Sequence, residues 1–88
     1  MKLKTGTWTK KSRKSNVWTL RLSETNLLVG YALTSIYDNH RTMTIYAFFH
    51  DPYNTVSESV DIPTTDDVEV IHKEWEKCME KLLSKMFE

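Results

Sequence analysis

A lone cysteine, Cys78, allows no internal disulfide and no cysteine-rich zinc site. Glycine is nearly as scarce. Gly6 and Gly30 are the chain's two, so no glycine-rich loop is available to cradle a phosphate. No apolar run approaches the roughly 20 residues that a membrane-spanning helix needs. The amino terminus, MKLKTGTW, is basic but lacks a following apolar stretch, which argues against a secretory signal. These absences lead to the expectation of a reducing, cytoplasmic setting and no membrane partner.

The most informative absence is of acid. Residues 1–23 carry Lys2, Lys4, Lys10, Lys11, Arg13, Lys14 and Arg21, with no Asp or Glu before Glu24. From residue 51 onward ten acids stand against four lysines. A formal net charge of zero therefore conceals +7 over residues 1–23, −1 over 24–50 and −6 over 51–88. Charge segregated in this way points to a partner, because the field of a surface, not its net charge, steers association.

What is present fits one small domain spanning 1–88. At 40% hydrophobic and 11% aromatic residues the chain has the means to fold around a core. A chain this short buries only roughly 60–65% of its unfolded surface, which limits it to one core.

The first half reads as strands. Residues 5–10 and 16–22 are rich in Thr, Trp and Val and alternate with period two. Between them KSRKS, residues 11–15, is polar and lacks Gly, as in a longer hairpin loop. SETN, residues 23–26, has turn chemistry. Residues 27–37 are apolar on both parities, with Gly30 marking a bulge or a close backbone approach. DNHR, 38–41, supplies the next turn. Residues 42–50 set Met43, Ile45, Ala47 and Phe49 against Thr44, Tyr46, Phe48 and His50. DPYN, 51–54, is a turn signal, and 56–62 reads as a weaker final strand.

One helix closes the chain, over roughly 65–86. Thr64 or Thr65 supplies a cap, and Asp66, Asp67 and Glu69 suit the positive end of the dipole. Val68, Ile71, Trp75, Cys78, Met79, Leu82 and Met86 recur at three- and four-residue spacing as one apolar stripe. The fold class is therefore α+β: an antiparallel meander of four to five strands, with a carboxyl-terminal amphipathic helix on one face. Its order resembles that of small single-stranded-DNA-binding domains with a curved sheet, a likeness of architecture alone. One helix covers one face, so either Tyr46 and Phe48 or the opposing Ile45, Ala47 and Phe49 look away from it, to be covered by a curl of the sheet, a second copy or a ligand; Tyr46 and Phe48 are the sheet-face interaction candidates.

Three sets of residues bear on function. Lys10, Lys11, Arg13 and Lys14 project from a hairpin flanked by Trp8 and Trp18. Phosphates require positive charge and unpaired bases stack on flat rings, so this set points to nucleic acid or another polyanion. For the two tryptophans the competing reading is burial in the core. Glu69, Glu76 and Glu80, beside a lysine row at 73, 77, 81 and 85, form an acidic face suited to phosphate mimicry or to a basic protein partner. Such rows are commonly a solvated helix face. Finally, Cys78 lies on the apolar stripe, where a thiol is packing rather than nucleophile, and His40, His50 and His72 are scattered.

The expectation is a non-catalytic nucleic-acid-binding module with no cofactor and no metal. The alternative is a small inhibitor or adaptor, of the kind viruses and mobile elements encode, that blocks a larger nucleic-acid-processing enzyme. A homodimer through the sheet face is compatible with both.

Overall fold

The computed structural model of the protein describes residues 4–10, 12, 16–37, 40–50 and 55–86. Five strands, β1 (Thr9–Lys10), β2 (Val17–Arg21), β3 (Leu28–Tyr37), β4 (His40–His50) and β5 (Thr55–Pro63), precede one helix, α1 (Val68–Met86). The strands lie in the order β1-β2-β3-β4-β5, each antiparallel to its neighbour. This is the α+β meander that the alternating pattern implies. Among the described residues no helix is long and apolar enough to cross a membrane.

The register assigns each face. Ala32 pairs with Ile45 and Ile45 with Val60, while Thr34 pairs with Met43 and Met43 with Ile62. These side chains turn toward α1, whose Ile71, Trp75, Cys78, Met79 and Leu82 are buried against Leu20, Ala32, Met43, Ile45 and Ala47. Half-buried Trp18, Phe49, Val56, Val60, Ile62 and Val68 extend that core. From Val68 to Leu82 the stripe read from helical spacing is thus the buried face of α1, and the side chain of Met86 lies outside the described residues.

The links between elements depart from expectation in several places. Regular pairing in β1 is confined to Thr9–Lys10 instead of 5–10. Upstream, the backbone holds on through a single bridge of Thr5 with Leu22 and a 2.9 Å bond from the Gly6 N–H to the Arg21 carbonyl. Arg21 lies opposite Leu28, although Leu20 lies opposite Gly30, so β3 carries one extra residue there. His40 and Arg41, expected in a turn, belong to β4 and pair with Tyr37 and Ile36. The weak fifth strand is a regular nine-residue strand. The turns expected at 11–15 and 51–54 lie, apart from Ser12, outside the described residues.

The helix starts at Val68, later than the position 65 expected. Asp67 is its cap: the carboxylate accepts the Glu69 N–H at 3.0 Å, and the carbonyl accepts the Ile71 N–H at 3.2 Å. Thr65, one of the two expected caps, accepts the Asp67 N–H instead. At 23–26 the expected turn closes with Asn26 at a φ of 58°, a left-handed conformation that Asn tolerates better than most residues.

Candidate functional site

The bulge in β3 builds the centre of the molecule. Val29 has no Cα partner in either neighbouring strand, and its carbonyl oxygen accepts the indole N–H of Trp75 at 2.9 Å. Beside it Gly30 leaves room for two indoles. A Cβ there would stand 2.9 Å from each of the Leu20 Cβ, the Trp75 Nε1 and the Trp8 Cη2. Gly30 thus adjoins the bulge expected near its position, and the close approach to it is made by side chains rather than by another backbone.

Trp8 consequently belongs to the core, at 4% exposure, and is corrected here from its expected role as an exposed stacking ring. Its indole N–H donates to His72 Nδ1 at 3.0 Å. The other nitrogen of His72, Nε2, lies 3.0 Å from Glu76 Oε1. The imidazole also stacks on Trp75, with centroids 5.3 Å apart and planes at 29°.

Lys10 is partly neutralised within the molecule. Its Nζ lies 3.5 Å from Asp66 Oδ1 at the start of the helix and 4.6 Å from the centroid of Trp18. Lys10 and Trp18 are cross-strand partners, which puts cation and ring on one face. Trp18 is half-buried and packs on the core edge. Lys11, Arg13 and Lys14 lie outside the described residues.

The face away from α1 holds the other ring set. Paired positions form rows across the sheet: Val17, Leu33, Thr44 and Asp61 in one, and Thr9, Thr19, Tyr31, Tyr46 and Ser59 in the next. Phe48 follows, opposite Ser57. Tyr31 and Tyr46 stand 6.1 Å apart at 60°, and Tyr46 and Phe48 stand 6.0 Å apart at 12°, nearly parallel. All three are partly exposed, and no described element covers them. Hydroxyls rim the row. Thr9 and Thr19 share a 3.3 Å bond, and Thr44 donates to Asp61 at 2.6 Å.

Tyr46 and Phe48 therefore look away from the helix, as their parity implies. Tyr31 was not singled out in the sequence, because β3 is apolar on both parities and gives no sign of which side faces solvent. Its signal is the cross-strand pairing with Tyr46, which needs the register.

The acidic helix face does not gather into one cluster. Glu69 and Glu76 border a cleft of about 480 Å³ beside Trp8 and His72, with Lys73 among them. Glu80 borders a different depression with Glu74, Lys77, Cys78 and Lys81. Glu58, on the helix side of β5, bonds Lys85, and that bond holds its carboxyl below the usual glutamate range. Burial pushes the Cys78 thiol up, which favours the unreactive neutral form. Among the described residues no three His, Cys, Asp or Glu side chains converge as metal ligands. No protein-family model, curated protein or solved structure matches this chain.

Proposed function

We propose that the protein is a non-catalytic module that binds single-stranded nucleic acid on its open sheet face, with the basic amino-terminal hairpin engaging phosphates. The observation that carries this reading is the row Tyr31–Tyr46–Phe48, three neighbouring rings on the face that α1 leaves uncovered. Unpaired bases offer π-faces to such rings, and each stack is worth about 1–3 kcal/mol in proteins that use it. The rim of Thr and Ser hydroxyls supplies donors and acceptors for sugar and base edges. The acid-free charge of residues 1–23 supplies attraction to phosphate. Within that charge Lys10 is the weaker contributor, since Asp66 already faces it. A lone buried thiol, Cys78, suits work in the reducing cytoplasm.

The phosphate-mimic alternative draws less support, because Glu69 and Glu76 border one depression and Glu80 another, with lysines between.

The test is anisotropy of labelled single-stranded and duplex oligonucleotides at low and physiological salt. The single strand should bind more tightly, and affinity should fall steeply with salt. Tyr46→Ala should weaken binding by roughly 5- to 150-fold, the equivalent of one lost stack. Lys11→Glu with Arg13→Glu should weaken it at low salt most of all. No binding at low salt, or binding indifferent to Tyr46, Phe48 and the hairpin charges, would refute the proposal. Sedimentation in parallel separates a sheet-face homodimer, whose mass would fall on Tyr46→Glu.

A further inference from the structure

The bonding around His72 specifies its protonation state. Trp8 Nε1 is a donor with no acceptor capacity, so the Nδ1 it meets at 3.0 Å must present a lone pair. The ring hydrogen then sits on Nε2, which lies 3.0 Å from Glu76 Oε1. His72 is thus the neutral Nε2–H tautomer, a bridge between the amino-terminal segment and the middle of α1.

A second proton has one place to go, Nδ1, and there it meets the indole N–H head-on. Turning the ring over gives no escape, because the imidazolium carries hydrogen on both nitrogens. The surroundings decide which partner yields. Around the cleft the titratable and charged groups are Glu69, Lys73 and Glu76, all on α1, while Thr5, Gly6, Thr7 and Trp8 from the amino-terminal segment bring none. Farther along that segment Lys10 is held by Asp66. Glu76 attracts the imidazolium, and the face of Trp75, 5.3 Å away, accommodates a cation. The charged ring is thereby held on the helix, so the contact that gives way is the one to the indole N–H.

We propose that His72 is a proton-operated latch: its protonation ejects the Trp8 indole N–H from its bond and loosens the amino-terminal segment from α1. The imidazole is partly exposed, so protons reach it. Histidine is the side chain whose charge changes in the physiological range. The segment so released leads directly into the basic hairpin. Its remaining ties include the Thr5–Leu22 bridge, the Gly6 bond to Arg21 and the Lys10–Asp66 pair, which make the change a local loosening rather than unfolding. The latch stands independently of what the sheet face binds.

The experiment is a nitrogen-15 NMR titration of the whole chain from about pH 8 to about pH 5, the range in which histidine titrates. The two ring nitrogens of His72 and the indole N–H signals of Trp8 and Trp75 are followed together. Above the transition His72 should show the Nε2–H tautomer. As it protonates, the Trp8 indole signal should shift and lose exchange protection with the same midpoint, while Trp75, bonded to Val29, stays in place. His72→Gln, which keeps an acceptor and cannot titrate, should flatten the Trp8 response. A Trp8 signal unmoved while His72 protonates would overturn the latch. So would a Trp8 response that survives in His72→Gln, or Trp8 and Trp75 moving as one.

Discussion

The Trp75 indole nitrogen fills the space that a side chain on Gly30 would occupy, and its hydrogen goes to the neighbouring Val29 carbonyl. Bulge, glycine and tryptophan form one arrangement. The extra residue leaves Val29 outside both ladders, and the absent Cβ lets α1 approach closely enough to bond its carbonyl. Gly30→Ala should therefore destabilise the fold by about 1–3 kcal/mol, the usual cost of overpacking. Its three nearest neighbours include the Cβ of Leu20, which cannot swing aside. Urea unfolding of wild type and variant measures the difference.

The helix cap gives a sharper local test. Asp67→Ala should cost about 0.5–2 kcal/mol, whereas Asp67→Ser should retain most of the stability, because a hydroxyl also accepts an N–H at this position. Asp66→Ala, one residue earlier, removes only the exposed partner of Lys10 and should change stability by less than about 1 kcal/mol. Thermal unfolding of the three variants distinguishes cap from surface charge.

Acid should weaken the contact between β5 and the end of α1. The Glu58 carboxyl is lowered from its ordinary 4.5, first by the hydrogen bond from Lys85. A lowered acid stabilises the fold above its unfolded-state value and loses that contribution as pH falls through the folded-state value. Lys85→Met should therefore be less stable than wild type at neutral pH, with the gap closing in strong acid. Added salt at neutral pH should narrow the same gap. Stability curves at neutral and acid pH, with and without salt, check the sign.

Cys78 should be inert in the folded protein. It is 4% exposed, and burial raises its thiol, so the thiolate that attacks disulfide reagents is scarce. A chromogenic disulfide should react negligibly with the native chain at mildly alkaline pH and stoichiometrically in denaturant. Fast reaction of the native protein would mean that the α1 contact opens readily.

How far each feature was legible depended on the range of the interaction that creates it. The α1 stripe and the alternation of β4 are local periodicities, and Ile71, Trp75, Met79, Ile45 and Ala47 are buried as those periods require. Gly30 announced itself because glycine within an apolar strand has few other uses. Burial of Trp8 was one of the two readings of its position, but its bond to His72 was not legible, since that acceptor lies 64 residues away and no local pattern connects them. Tyr31 was hidden by a strand apolar on both parities. The cap fell to Asp67 where Thr64 or Thr65 was expected, a difference of two or three residues within a polar run that all reads as helix start. The charge asymmetry was plain in the sequence, but the facing of Lys10 by Asp66 depended on β1 running past the start of α1.

The two margins of the sheet are unequal. β1 offers a passing extended chain two residues of backbone, whereas β5 offers nine. Among the described residues only the β5 margin has the length to template another strand, and it is there that the sequence places obstacles. Pro63 brings no N–H, and Asp61 sets a negative charge among the exposed residues of a strand whose every second residue is exposed. A second copy laid along this margin would meet that charge and the missing donor. The meander thus carries its own protection against growing into fibrils, at the one border where such growth has room to begin.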